Sequence, residues 1–410
     1  MAAVGVSHVY PLGSRLNERG ALEIGGCDAL ELAREFGTPA YVYAEDDMRS
    51  RARAFVEAFR ARTERFEVIY ASKAFPCTAA YGLFWEEGLS ADVASGGELH
   101  LALAGGYEGE RLYMHGNNKS PAELDYAIES GVGHIVVDSF DEIERLRGRL
   151  MRVLIRVTPG IQPSTHSYIQ TGQADSKFGF PIGEVPRAVE ACEAAGLDLR
   201  GLHAHIGSQV FELEAFERLT EVLSELGEWP LLNLGGGLGV AYSAEDDPPS
   251  IEEYAEALLR HAPEGVTVLT EPGRSLVANA GVTLYTVGTV KRIPGVRTYV
   301  AVDGGMSDNL RPMLYGARYE AEIADRFGGG ELCTVAGMHC ESGDVLVRDV
   351  ELSDPRPGDV LVTPATGAYG HAMANNYNAV PRPPVIFCRE GDARVVVRRE
   401  TYADLSARDA

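Results

Sequence analysis

From about residue 66 the chain alternates between two hydrophobic rhythms. Short runs rich in β-branched and aromatic residues recur: FEVIYAS (66–72), SADVAS (90–95), RLYMHG (111–116), HIVVDS (134–139), RVLIRVTP (152–159), RGLHAHIGS (200–208), LLNLGG (231–236) and VTVLTEPG (266–273). Between them lie stretches with helical spacing, such as PAELDYAIESG and SFDEIERLRGRL, several opening on Ser or Ser-Pro at the N-cap. Eight strand–helix units in succession predict a (β/α)8 barrel. The runs are apolar on both faces, as parallel strands covered on both sides require. Periodicity alone leaves a doubly wound open sheet as the alternative.

After about residue 280 the helical stretches nearly vanish. VTLYTVGTVKRI, RTYVAVDGG, ELCTVAGMHC, DVLVRDVEL, GDVLVTPATG, PPVIFC and ARVVVRRETY read as strands with Gly, Pro and Asp between them. This predicts a second, mostly β domain, a barrel or a sandwich. The expected boundaries are an N-terminal segment over 1–36 that joins the β domain, the barrel over 37–277, and the β domain over 278–410.

Composition narrows the class. Of 410 residues 45% are hydrophobic, ample for a large core, and the formal net charge is −23. The charge is spread along the chain, a solubilising surface that repels nucleic acid and anionic membranes. No apolar run is long enough to span a bilayer, and MAAVGVSHVYPLGS lacks the pattern of a secretory signal. The six cysteines form no CxxC pair and read as reduced thiols. A cytoplasmic enzyme is expected.

In a (β/α)8 barrel the chemistry sits at the C-terminal ends of the strands. Here those ends carry Lys73, Asp92, His115, HAHIGS with His205 and Ser208, GGGLG (235–239) and EPGR (271–274). Lys73 is either a strand-end lysine reaching solvent or an amine kept dry at the barrel mouth. Desolvation would lower its pKa and leave a neutral amine able to condense with an aldehyde. GGGLG matches neither GxGxxG nor a P-loop; it is a tight turn or a nest of backbone N–H groups for a phosphate. Glu271 is a partner for Arg274 or an acid facing a ring nitrogen. An aldehyde for lysine, a phosphate for glycines and a pyridine for an acid together describe pyridoxal phosphate, whose protonated ring is an electron sink. Against this, His203 and His205 could bind a metal, but alternate strand residues point to opposite sides and no further ligand set supports them.

The motifs YASKAFP, ADVASGGEL, MHGNNKSPAEL, HSYIQTGQADSKFGF, HAHIGSQ, LNLGGGLGV, EPGRSLVANAG, VDGGMSDNLRPMLYGA, CESGDVL and GAYGHAMANNYN run nearly end to end. With them the chain resembles the fold-type III pyridoxal-phosphate decarboxylases, the diaminopimelate decarboxylases in particular. Phe75 stands where that family often has Asn, and the chain is on the short side.

The resemblance implies roles. Lys73 would take the cofactor's aldehyde, His205 would stack on its ring, and Glu271 would pair with the pyridine nitrogen. Asp92 belongs to the same cofactor site. Ser208, Gly235, Gly236, Gly237, Gly273 and Arg274 would surround the phosphate, with the Arg274 side chain reaching the substrate carboxylate. Arg311 and Tyr315 would contact that carboxylate too, and Tyr369 cofactor or substrate. Cys340 would be the proton donor and Glu341 the partner of the far ammonium, both reaching across a homodimer interface. Without the motif, Arg311, Tyr315 and Cys340 read as packing residues. The implied reaction turns meso-diaminopimelate into L-lysine and carbon dioxide. The rivals are the same chemistry on carboxynorspermidine or a carrier-bound glutamyl group, a cofactor-holding module without turnover, and a metal hydrolase. HSYIQTGQADSKFGF is either a lid or a surface excursion.

Overall fold

The computed structural model describes residues 5–161 and 176–410. They fall into two compact units: residues up to Met48 with Val240–Asp247 and Leu276–Ala410, and Arg49–Gly239 with Pro248–Ser275.

The second of these is a closed parallel barrel. Its strands are β1 (Phe66–Ala71), β2 (Ser90–Val93), β3 (Leu112–Met114), β4 (His134–Val137), β5 (Arg152–Thr158), β6 (Asp198–His203), β7 (Leu231–Asn233) and β8 (Thr267–Thr270). Each pairs in parallel with the next, and β8 closes onto β1 through Val268–Phe66 and Thr270–Val68. Closure settles the choice between barrel and open sheet. Ile69, Tyr113, Val136, Leu154 and Leu269 meet in a buried cluster, one side chain from each of five strands, so the interior is packed rather than open. The serines expected to start helices do so: Ser95, Ser120, Ser139 and Ser250 each accept a backbone N–H at a helix N-terminus, and Ser120 and Ser250 form capping boxes with Glu123 and Glu253. Of HSYIQTGQADSKFGF, residues 166–175 lie outside the described residues; Phe180–Pro181 pairs along β5.

The other unit is built on a mixed sheet. β9 (Gly281–Ile293) pairs with β10 (Arg297–Val302) and β13 (Val360–Thr363); β11 (Glu331–Ala336) lies between β10 and β12 (Val345–Leu352); β14 (Val385–Arg389) pairs with β15 (Asp392–Val397). One strand is a correction to the sequence reading. Ala40–Ala44, placed there at the start of the barrel, lies in this sheet, antiparallel to β9 and parallel to β14. All five of its residues are buried, and a short apolar run carries no signal of which sheet it joins. The N-terminal segment packs on the same unit, with Val9, Leu22 and Ile24 against Val42, Val282, Leu284, Val362 and Ile386.

Within the barrel, Lys119 is buried after β3. Its ammonium donates to the carbonyls of Gly116 (2.8 Å) and Val136 (2.7 Å) and to Glu142 (2.7 Å). Burial pushes Glu142 up and Lys119 down. The pair persists because all three ammonium donors are used and Glu142 also accepts the Asp138 N–H. Lys119→Met strands Glu142 as an unpaired buried carboxylate, and we expect a loss of about 3–5 kcal/mol. A carboxyl whose folded-state pKa lies above its unfolded value costs stability as pH rises through that range. The deficit in denaturation midpoint should therefore shrink toward acidic pH; a deficit independent of pH would contradict the assignment.

Candidate active site

The polar residues gather at the C-terminal ends of the barrel strands. Lys73 sits on a single 3-10 turn, Ser72–Ala74, directly after β1. Tyr70 Oη donates to the Phe75 carbonyl at 2.7 Å, and the Ser72 N–H donates to Asp92 Oδ1 at 2.9 Å from β2. The loop after β8 closes on the same point: Ala71 N–H bonds the Pro272 carbonyl, and a side chain at Gly273 would strike Ala71 Cβ and its carbonyl oxygen, each at 2.9 Å. Lys73 itself is exposed between buried Ser72 and Ala74. What surrounds it is charge, with Asp92, Glu98 and His205 all sensing Lys73 electrostatically.

Glu271 is the centre of the site. It is buried, and its backbone N–H bonds the Gly235 carbonyl at 2.8 Å. Asn233 Nδ2 donates to Oε1 at 2.7 Å. His203 Nε2 lies 3.3 Å from Oε2, and His115 Nε2 lies 2.9 Å from Oε1 but out of line for a hydrogen bond. The parallel register sets this up: Arg156 pairs with His203, and His203 with Asn233, so three adjacent strands present these side chains at one level. Proximity of His115 and His203 holds the Glu271 carboxyl well below the usual range against the opposing effect of burial. Asp92 behaves oppositely: burial, then the charge on Glu271, pushes it up to about 7. Burial pushes His203 down to about 4, leaving a neutral imidazole. His115, His203 and Glu271 have the composition of a metal site, with donor atoms within 4.8 Å of one another. His203 is within hydrogen-bond reach of the carboxylate, Asn233 takes the same carboxylate and His115 packs beside it, so we read them as a polar cluster around an anion.

The glycine loops lie beside this cluster. Gly236 N–H donates to His205 Nδ1 at 3.3 Å, which fixes that nitrogen as the acceptor. His203 and His205 thus face different partners, Glu271 and Gly236. Gly237 has φ +127°, and a Cβ there would lie 2.6 Å from the Gly207 carbonyl oxygen, so the loops after β6 and β7 meet backbone to backbone. Arg274 is buried, and its Nε and Nη2 donate to Ser208 Oγ at 3.1 and 2.9 Å.

The remaining sequence-predicted residues belong to the other unit. Arg311 is buried, its guanidinium 4.8 Å from the Tyr242 ring centroid and 5.6 Å from that of Tyr319, whose hydroxyl it also bonds. Tyr315 ends the short helix Arg311–Tyr315 and is half-buried. Tyr369 is also half-buried, in the left-handed conformation at φ 64°. Cys340 and Glu341 are exposed on a turn held by Asp344, whose carboxylate accepts the His339 and Met306 N–H groups at 2.9 and 2.7 Å. The other five cysteines are buried.

Sequence reasoning gave Asn233 and Arg156 no role. Arg156 is buried, its guanidinium makes no hydrogen bond to a described residue, and it lies 4.2 Å from the Phe178 ring centroid. The available signal was a polar residue inside an otherwise apolar strand: Arg in RVLIRVT, Asn in LLN.

Residues 45–278 match the family model for the pyridoxal-dependent decarboxylase, pyridoxal binding domain. The chain is 48% identical to the diaminopimelate decarboxylase of Bacillus subtilis (strain 168) over 420 residues, 96% of each protein. It is 48% identical to that of Actinosynnema pretiosum subsp. auranticum over 424 residues, covering 98% of this chain and 95% of the relative. Among solved structures, the M. jannaschii diaminopimelate decarboxylase in co-complex with L-lysine superposes with a TM-score of 0.89 at 35% identity, covering 97% of both chains. With a family model over more than half of its length and such relatives end to end, the chain belongs to the diaminopimelate decarboxylases of the pyridoxal-dependent decarboxylase family.

Proposed function

We propose that the chain decarboxylates meso-2,6-diaminopimelate at its D-configured centre to give L-lysine and carbon dioxide, with pyridoxal 5′-phosphate as cofactor. The observation that carries this is Glu271, a buried carboxylate held by one amide and two imidazoles instead of a lysine or arginine. Such an anion lacks a hydrogen-bonded cation within the described residues and fits a protonated ring nitrogen. The glycine loops after β7 and β8 fit the phosphate, as is usual for this barrel.

The bound cofactor would supply an aldehyde for amines and a ring that accepts the electron pair left by departing carbon dioxide. The residues supply the rest. Lys73 offers the amine that holds the cofactor, from a turn pinned by Asp92 and Pro272. Glu271 would keep a proton on the ring nitrogen, and His205 would cover a ring face. Gly235, Gly236, Gly237, Gly273 and Ser208 would grip the phosphate, with Arg274 held beside them on the Ser208 hydroxyl. Arg311 and Tyr315 take the distal carboxylate, Glu341 the distal ammonium, and Tyr369 cofactor or substrate. The aromatic faces of Tyr242 and Tyr319 fix the Arg311 guanidinium, which restricts it to a planar, bidentate partner. An anion site beside a cation site favours a substrate with an amino-acid group at its far end over a plain diamine precursor. Cys340, the exposed thiol, returns the proton to the α-carbon.

We also propose a homodimer in which Cys340 and Glu341 serve the partner's site. Met313, Leu314, Met338 and Tyr377 are exposed apolar residues of the same unit, and Met313 lies against Gly343 on the Cys340 turn. Free buried cysteines and a net charge of −23 suit a cytoplasmic enzyme that binds small molecules rather than nucleic acid.

Lys73→Ala should abolish the visible absorbance that borohydride bleaches; a variant that keeps it would place the attachment elsewhere. Cys340→Ala should retain the cofactor while kcat falls about 10²–10⁴-fold in a carbon dioxide release assay, and unchanged turnover would remove it as proton donor. Given meso-diaminopimelate, lysine, ornithine and arginine in turn, the enzyme should release carbon dioxide chiefly from the first. Mixing Lys73→Ala with Cys340→Ala should restore up to about a quarter of wild-type activity, since subunit exchange in a two-fold dimer leaves one intact site in half of the dimers. No recovery after demonstrated exchange would mean that each site uses its own subunit's cysteine.

A further inference from the structure

Glu271 has two oxygens, and three strand ends supply the groups that meet them. Oε1 faces Asn233 Nδ2 at 2.7 Å and His115 Nε2 at 2.9 Å; Oε2 faces His203 Nε2 at 3.3 Å. The two imidazoles meet edge to face, ring centroids 4.8 Å apart at 70°, so each limits how the other can turn. We propose that His115 and His203 are positioning residues that hold the Glu271 carboxylate, as a charged group, against the ring nitrogen of the cofactor. This rests on the reading above, in which Glu271 meets that nitrogen.

The contacts favour this role over simple packing: His203 is within hydrogen-bond reach of the carboxylate, and His115, out of line for a hydrogen bond, confines it by close approach. His203 Nδ1 is buried with no partner, whereas Nε2 is within reach of the carboxylate. A buried N–H left unpaired is costly, so the proton belongs on Nε2, where it can be donated to Glu271. The charge state of this partner matters. A cationic partner would neutralise Glu271 and weaken its hold on a ring proton, whereas a neutral imidazole orients the carboxylate and leaves its charge in place. Burial keeps His203 neutral. The other charged or titratable groups around Glu271 are Asp92 from β2 and Arg156 from β5. His205, Lys73 and the Tyr254 and Tyr113 hydroxyls complete the set. Of these, none is placed to hydrogen-bond the Glu271 carboxylate.

The test uses the full chain reconstituted with pyridoxal phosphate carrying ¹⁵N at the ring nitrogen, with ring protonation followed by ¹⁵N NMR from neutral to mildly alkaline pH. In the wild type the nitrogen should stay protonated throughout. In His203→Leu and His115→Leu it should lose its proton within that range, and the cofactor should dissociate about tenfold to a hundredfold more readily. His203→Gln, which restores a donor, should behave more like the wild type. Steady-state rates should show the loss in kcat, with KM little changed. Leu variants with wild-type ring protonation and cofactor retention would overturn the proposal. His115→Leu, on a separate strand, carries the test if position 203 does not tolerate leucine. A wild-type chain that takes up no labelled cofactor would overturn the underlying reading of the site, and this inference with it; that outcome is distinct from unaltered Leu variants on a loaded wild type.

Discussion

A carboxylate buried at the barrel mouth without a cation at hydrogen-bonding distance is the constraint around which the site is arranged. Removing an ion from water is tolerable only where hydrogen bonds replace its hydration. Glu271 obtains them from Asn233 on β7 and His203 on β6, with the His115 imidazole at the end of β3 close beside the same carboxylate. None of these groups is near another in sequence. Barrel closure and the register that sets Arg156, His203 and Asn233 at one level bring them together. In that sense the fold determines the charge state of one side chain.

That charge then divides the two carboxyls of the site. Asp92 and Glu271 are both buried, and like charges at short range oppose a second ionisation. Glu271, supported by imidazoles and an amide, stays anionic; Asp92, beside it, rises to about 7. Asp92 has a different task, accepting the Ser72 N–H and so fixing the turn that carries Lys73. Divergent environments for paired acids often mark separate roles in catalysis. Here one acid is reserved for holding charge and the other for holding backbone.

Much of this was legible in the sequence. Each of the eight barrel strands lies inside the run that predicted it or within two residues of it, since parallel strands buried on both faces leave dense apolar runs between capped helices. Lys73, His205, the glycines and Glu271 stood out because polar or flexible residues at strand ends violate that pattern. Two things were hidden. Ala40–Ala44 is apolar throughout and equally suited to either sheet; only its partners, β9 and β14, decide. Asn233 and Arg156 are marked along the chain only as polar residues in apolar strands; which neighbours they meet on other strands has no such mark. The sequence left the exposure of Lys73 open for a related reason. A strand's burial ends where its backbone turns, and the 3-10 turn at Ser72–Ala74 rotates the lysine out of the layer that buries Ala71.

The turn bearing Cys340 extends the same logic to the other unit. Free cysteines tend to become buried hydrophobes, as the other five do here, whereas Cys340 is exposed. Exposure at Cys340 is imposed by the backbone. Asp344 gathers the N–H groups of His339 and Met306, the Cys340 N–H is taken by Asn378 at 3.0 Å, and His339 Nε2 meets Ser307 at 2.9 Å. Four polar contacts thus hold a short loop, and the Glu341 carboxylate adds another by accepting the Gly343 N–H at 3.3 Å. Loops that are rigid without being buried cost hydrogen-bonding groups and gain little hydrophobic stabilisation. The turn so held presents an exposed thiol beside an exposed carboxylate.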